Sequence, residues 1–191
     1  MFDFDVPETT ELLLDGLKVQ AQEISSFFES MSVEEFFASQ GNHWSPAGHL
    51  RHLAKSVRPL AAAMEVPRMA LRVRFGRSRT GSRSFDEIVQ VYSEQLAAGA
   101  GAGPFSPSDK IPELSDDEWR LLILDRWQQA SQQLAEASEG WGERDLDKYR
   151  LPHPLLGKMT VREMLFFTLH HNAHHARRVA QRRSTGRGET P

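Results

Sequence analysis

The sequence predicts an all-α protein, and three observations support this prediction. Four segments begin with Ser or Thr followed three residues later by Glu, which is the capping-box pattern of helix N-termini. Apolar residues near these starts recur at helical spacing. No segment alternates apolar and polar residues between hairpin turns, and the only strand-like stretch, residues 71–75, cannot form a sheet alone.

Five helices of ordinary globular length follow in order along the chain. Ser45 before Pro46 marks the start of the second helix, and Pro59 predicts a kink within it. The capping box at Ser32 predicts an additional short helix over about residues 32–39. The apolar positions that define the five helices are Leu12, Leu13, Leu17, Ile24, Phe27 and Phe28; Leu50, Leu53, Val57, Leu60 and Met64; Ile88, Val91, Tyr92 and Leu96; Leu121, Leu124, Trp127 and Leu134; and Val161, Leu165, Leu169 and Val179.

Length and composition limit the classes of protein to which the chain can belong. A chain of 191 residues with 39% hydrophobic and 26% charged residues fits one globular domain and argues against fibrous or wholly disordered proteins. No apolar run approaches the length of a membrane span, and the acidic N-terminus lacks the features of a signal peptide. We therefore expect a soluble cytoplasmic protein without a membrane partner.

The net charge and the absence of cysteine limit the partners and the reactions that the sequence allows. The formal net charge is −3, so the composition predicts no nucleic-acid partner. The chain contains no cysteine, which excludes disulfides, cysteine-ligated metals and a cysteine nucleophile. Six arginines between Arg68 and Arg83 have no acidic residue among them; we interpret them as a solvated loop, with a docking surface for an anionic ligand as the alternative.

Two stretches are typical of connectors. Residues 97–107 contain three glycines and two prolines after a helix, which predicts a flexible linker. Residues 184–191 are polar and contain glycine, which predicts a flexible C-terminal tail. The predicted organisation is therefore one helical domain over residues 1–183, followed by this tail.

The last predicted helix contains four of the chain's eight histidines, which form the pairs His170/His174 and His171/His175. Residues four apart share a helix face, and two imidazoles at this spacing can bind one divalent ion. Relative to the apolar stripe, His171 and His175 point inward. The alternative is that these histidines are hydrogen-bonded core residues.

A third histidine would complete a three-histidine site with open positions for water or substrate. The second helix offers His49 and His52, and its helical projection slightly favours His49, but spacing alone leaves both open. His153, between two prolines, is interpreted as a turn residue, and His43 as a surface residue.

These motifs resemble the DinB/YfiT-like superfamily of metal-binding four-helix bundles. The likeness covers residues 8 to 183 approximately and rests on the order of three motifs: Trp44-Ser45 with His52-Leu53 eight residues after the Trp, His153-Pro154 with Gly157 and Thr160, and His171-x-x-x-His175. The resemblance implies a four-helix bundle with the extra short helix, and it implies His52, His171 and His175 as metal ligands. His49 occupies a position that is usually apolar in the family.

The resemblance implies a divalent-metal-dependent enzyme that acts on a small-molecule substrate. Such an enzyme would transfer an exogenous low-molecular-weight thiol to an electrophile (an S-transferase), or hydrolyse its substrate with metal-activated water. Imidazole suits several metals, and we expect zinc or nickel. The resemblance also allows a homodimer. The alternative is a non-catalytic binding or dimerisation module with a structural metal or none.

Overall fold

A computed structural model of the protein describes residue 2, residues 6–107 and residues 112–186. The predicted all-α fold is confirmed, since these residues are helical apart from loops and one small hairpin. The elements of the described residues are α1 (Thr10–Glu29), α2 (Val33–Phe37), α3 (Pro46–Glu65), α4 (Arg68–Phe75), α5 (Phe85–Ala97), a 3-10 turn (Gly103–Phe105), α6 (Asp116–Ser138), α7 (Glu143–Lys148), β1 (Arg150–His153), β2 (Gly157–Thr160) and α8 (Val161–Gly186).

Four long helices form the bundle. Both α1 and α3 pack against α6 and α8, so each of the four helices contacts two others. The short helix α2, which the capping box at Ser32 predicts, lies against α3, and α5 packs on the outside of α8. Within the bundle, α3 and α8 are neighbours, and this places the two histidine-rich helices side by side.

The predicted helix starts are confirmed by their capping hydrogen bonds. Ser84 and Ser115 form complete capping boxes at the starts of α5 and α6. The hydroxyl of Ser45 accepts from the N–H of Gly48 at 3.2 Å and thereby starts α3. Thr160 accepts from the N–H of Glu163 at 3.1 Å at the start of α8.

Residues 71–75 are helical rather than extended. They lie in α4, where Leu71 is buried while Val73 is 81% exposed, so their alternating apolar residues do not share a buried face. Gly76 follows the helix with a φ of 83°, a conformation that ends it at low steric cost. The sequence suggested a strand there because alternation in so short a stretch fits either structure.

The hairpin of β1 and β2 is absent from the sequence-based prediction. Its strands pair antiparallel with Leu151 opposite Met159, and each has four residues. The N–H groups of Leu155 and Leu156 donate to Nδ1 of His153 at 3.2 and 3.1 Å, so this histidine closes the turn. Prolines at positions 152 and 154 mask the strand pattern in the sequence.

The arginine-rich segment is not a simple solvated loop. Its first part is α4, and the arginines at its two ends form ion pairs: Arg68 with Asp145 at 2.8 Å and Arg83 with Glu163 at 3.1 Å. The arginines between these ends, Arg72, Arg74, Arg77 and Arg79, are exposed. The ion pairs at the ends hold the segment to α7 and α8, and the N–H of Ser78 donates to the carbonyl of Lys148 at 2.8 Å, while the four arginine side chains between the ends face solvent.

Two further expectations concern the ends of the chain and membranes. Helix α8 continues through residue 186, so residues 184–186 of the predicted tail are helical. Residues 187–191 and most of the acidic N-terminal segment, residues 1 and 3–5, lie outside the described residues. No helix in the described ranges is both long and apolar enough to cross a membrane.

Candidate metal centre

The histidines meet where α3 packs on α8. His171 and His175, one turn apart on α8, are 5% and 6% exposed, and they face His52 of α3. His170 and His174 are only partly buried and contact the ring of Tyr92 instead. The helical projection therefore selected the inward pair correctly.

Three histidines form a group that could hold a metal ion. His52, His171 and His175 each offer one ring nitrogen, and these three atoms lie within 4.8 Å of one another. Nε2 of His52 is 3.0 Å from Nε2 of His171. Within the described part of the chain, no carboxylate joins this group.

The tautomer of His52 follows from its second contact. Nδ1 of His52 lies 2.9 Å from the carbonyl oxygen of Phe105, and because a carbonyl can only accept, Nδ1 carries the proton and donates it. In the neutral ring, Nε2 therefore keeps its lone pair toward the group. A backbone carbonyl in this role is the usual partner of a metal-binding histidine. The linker predicted over residues 97–107 supplies it.

His49 is buried beside the group but outside it. Its Nδ1 lies 2.8 Å from Nδ1 of His175, so one of these two nitrogens donates to the other. Nε2 of His49 is buried and has no hydrogen-bond partner among the described residues. Trp44 stacks over the ring of His175 at a centroid distance of 6.1 Å. Both histidines of α3 therefore contact histidines of α8: His52 contacts His171, and His49 contacts His175.

The environment favours neutral imidazoles. Burial lowers the pKa of His171 well below its usual value, and burial lowers the pKa of His49 to about 3, with the positive charge of Arg182 acting in the same direction. Burial likewise lowers the pKa values of His52 and His175. At neutral pH these rings carry no charge, which is the form that binds metals.

The group borders a cavity of about 690 Å³, a size typical of small-molecule sites. Most of its lining is apolar, and no Asp or Glu occurs among the described residues that form it. Arg178 and Arg182 of α8 also line it. Sequence reasoning missed these two arginines, although they continue the face of His171 and His175 at seven and eleven residues after His171.

The donor set fits a divalent metal ion. Neutral nitrogens converge from two helices, one of them held by a carbonyl, and three histidines with an adjacent cavity match the pattern of sites that keep a coordination position for substrate. Two ring nitrogens at 3.0 Å can also share one proton, so the same geometry accommodates a hydrogen-bonded pair.

Comparisons with known proteins identify the fold. The chain is similar to the colibactin self-resistance protein ClbS, whose crystal structure is a complex with double-stranded DNA; the TM-score is 0.51 at 14% identity, over 94% of this chain and 98% of that chain. At this identity the likeness concerns the fold alone. No curated protein sequence matches the chain.

The expectation of no nucleic-acid partner is wrong as a deduction from net charge. ClbS has this fold and binds double-stranded DNA, which points against excluding nucleic acid. The physical reason is that net charge averages over the whole surface, whereas DNA contacts a local basic patch.

A sequence model of the DinB superfamily matches residues 17–179, which include the whole of α3 and α6, most of α1 and α8, and the three grouped histidines. The match covers far more than half of the chain, and the helical architecture agrees with it. The chain therefore belongs to the DinB superfamily.

Proposed function

We propose that this protein is a divalent-metal-dependent enzyme that transfers a low-molecular-weight thiol to an electrophilic small molecule. The observation that supports it best is the convergence of His52, His171 and His175 at the wall of a large cavity. Zinc or nickel is the proposed metal, and hydrolysis by activated water is the closest variant of the reaction.

In this proposal the three histidines hold the ion through neutral nitrogens. A bound divalent ion lowers the pKa of a thiol or water in an open coordination position, so that it becomes a nucleophile at neutral pH. Because the chain has no cysteine, the thiol comes from outside and enters through the cavity. The apolar lining excludes water from the reacting groups.

His49 has a positioning role in this arrangement. If His175 offers Nε2 as a ligand atom, its Nδ1 carries the proton and donates it to Nδ1 of His49. His52 is held in the same manner by the carbonyl of Phe105. The proposal thus assigns each of these two ligands a partner that fixes its tautomer.

The domain boundaries and the assembly state belong to the same proposal. Residues 1–183 act as one helical domain, which α8 extends through residue 186, and the protein works in the cytoplasm and forms a homodimer. Light scattering coupled to size-exclusion chromatography checks the homodimer, since a mass of about twice 21.7 kDa is expected.

Metal content tests the central claim. Wild type, His171→Ala and the matched control His170→Ala are loaded with zinc or nickel, dialysed and analysed by plasma mass spectrometry. We expect about one equivalent of metal in wild type and in the control, and none in His171→Ala. Absence of metal from the wild type would contradict the proposal.

Turnover separates an enzyme from a binding module. Metal-loaded protein is screened with low-molecular-weight thiols and a chromogenic electrophile, and with hydrolysable esters. Turnover that requires the metal and disappears in His171→Ala supports the enzyme. A stably bound metal without turnover on any substrate favours the alternative, a non-catalytic helical module.

A second candidate function is binding of double-stranded DNA. It is favoured by the exposed arginines at positions 72, 74, 77 and 79, which have no carboxylate partner among the described residues. Arginines of this kind bind phosphate oxygens bidentately. The DNA complex of ClbS gives the candidate further support by analogy.

Fluorescence anisotropy with a labelled DNA duplex tests this candidate at several salt concentrations. We expect Arg72→Gln/Arg74→Gln to weaken binding and to reduce the slope of log K against log salt by about 1 for each lost phosphate contact. Arg178→Gln/Arg182→Gln removes the same charge elsewhere and serves as the control. Equal effects of the two double variants would contradict a specific role for the α4 arginines.

A further inference from the structure

One face of α8 carries two different kinds of side chain in succession. His171 and His175 are followed by Arg178 and Arg182, at four, seven and eleven residues after His171, and this spacing keeps all four on one side of the helix. All four line the cavity. The two guanidinium groups therefore stand beside the histidine group, further along the same wall.

These arginines have no counter-charge. No hydrogen bond or ion pair connects the guanidinium group of Arg178 or Arg182 to a described residue, whereas the guanidinium groups of Arg162 and Arg183 bind Asp147 and Glu35. The two stand four residues apart on one face of α8, and partial burial together with the charge of Arg178 lowers the pKa of Arg182. Like charges one turn apart destabilise a helix. Arg178 is exposed and Arg182 half-buried, so a bound anion would remove a small like-charge repulsion at the edge of the cavity.

The rest of the cavity supplies no negative charge either. No Asp or Glu occurs among the described residues that line it, and the buried histidines are neutral, so they would leave the charge of a bound dication uncompensated. The remaining walls are mostly apolar, with a few neutral polar side chains such as Ser56 and Asn172, and include Leu60, Leu96, Phe105, Leu155 and Phe167. The cavity thus combines the positive charges of the two arginines on one wall with a largely apolar interior.

We propose that Arg178 and Arg182 form an anion-binding subsite, and that the cavity takes an organic anion with an apolar body. The carboxylate, or another oxyanion of the molecule, binds the two guanidinium groups, which present forked donors. Its apolar part lies along the aliphatic and aromatic walls toward the three histidines. This inference deepens the proposed function, because it names the substrate class of the same cavity.

Calorimetric titration with octanoate and its neutral counterpart octanamide tests the subsite. Metal-free wild type, Arg178→Gln/Arg182→Gln and the control Arg77→Gln/Arg79→Gln are compared. We expect wild type and control to bind octanoate more tightly than octanamide, and the first variant to lose roughly tenfold or more in octanoate affinity. Octanamide affinity should change by less than about twofold in every variant.

Three results would overturn the subsite: no octanoate binding to wild type, equal binding of octanoate and octanamide, or unchanged octanoate binding in Arg178→Gln/Arg182→Gln. Loss of DNA-duplex binding in that variant, with octanoate binding intact, would assign the arginines to a nucleic-acid surface instead. Because the titrations use metal-free protein, a protein that binds octanoate but no zinc disproves only the metal site.

Discussion

The two sides of α3 bury different chemistry. On one side α3 presents apolar side chains such as Leu50 and Leu53, which are fully buried in the hydrophobic core that also contains Ile123 and Trp127 of α6. Toward α8 it presents His49 and His52, each 3% exposed, against two further histidines. One helix therefore contributes to a stabilising core on one side and to a polar centre on the other.

The difference separates the side of α3 that stabilises the bundle from the side that carries the candidate metal centre. Removing apolar side chains from water stabilises the α3–α6 side by roughly 1.5 to 3 kcal/mol for each large residue. Burying ring nitrogens on the α3–α8 side costs free energy unless they find partners. Most ring nitrogens on that side have a partner, whereas Nε2 of His49 has none among the described residues, so we expect the apolar side to contribute more to stability.

The largest expected loss of stability comes from truncating a buried side chain on the apolar side. Trp127→Ala removes a fully buried side chain, and we expect the free energy of unfolding in urea to fall by about 3 to 5 kcal/mol. Leu121→Ala, on the exposed face of the same helix, is the control and should change it by less than about 0.5 kcal/mol. If Trp127→Ala lowers the free energy of unfolding only slightly, the apolar side does not supply most of the stability and the contrast between the two sides is wrong.

The increase in the free energy of unfolding caused by zinc distinguishes the histidine side from the apolar side. At a zinc concentration of about 100 times the Kd, the free energy of unfolding of wild type should rise by about 2.7 kcal/mol. His171→Ala should lose this gain, whereas Trp127→Ala should keep it at a lower baseline. Chemical denaturation with and without zinc measures both quantities. Loss of the zinc gain in both variants would show that the sides are not independent.

Zinc affinity tests the positioning role of His49. His49→Phe keeps a ring of similar size but removes the acceptor for Nδ1 of His175, and we expect the zinc Kd to weaken roughly 10- to 100-fold in competition with a chelator. His49→Asn restores an acceptor and should recover most of the affinity. His174→Phe is the control on α8, and an equal loss there would argue against a role specific to His49.

We expect the smallest loss of stability from removing the N-terminal cap of α3, the helix that contributes to both sides. Ser45→Ala removes the cap of α3, so we expect a loss of about 1 kcal/mol in the free energy of unfolding. The zinc Kd should change by less than about twofold, because the cap lies outside the ligand group. A large change in zinc affinity would indicate that the start of α3 positions the histidines directly.

Much of the fold could be predicted because its signals are local. Capping residues such as Ser84 and Ser115 contact atoms three residues away, and helical periodicity depends only on spacing. The hairpin and α4 escaped prediction because both are short. Their structure depends on contacts with distant residues, such as that of Arg68 with Asp145.

Local sequence patterns predict the helix starts, the all-α class and the inward pair His171 and His175, since each depends on residues within one or two helical turns. Helical spacing left both His49 and His52 open as the third ligand, and His52 followed only from the family resemblance. Tertiary packing brings His52 to His171, sets the Phe105 carbonyl against its Nδ1, and places Arg178 and Arg182 at the cavity. These contacts join residues between 50 and 130 positions apart or depend on a cavity formed by several elements. No spacing rule specifies them.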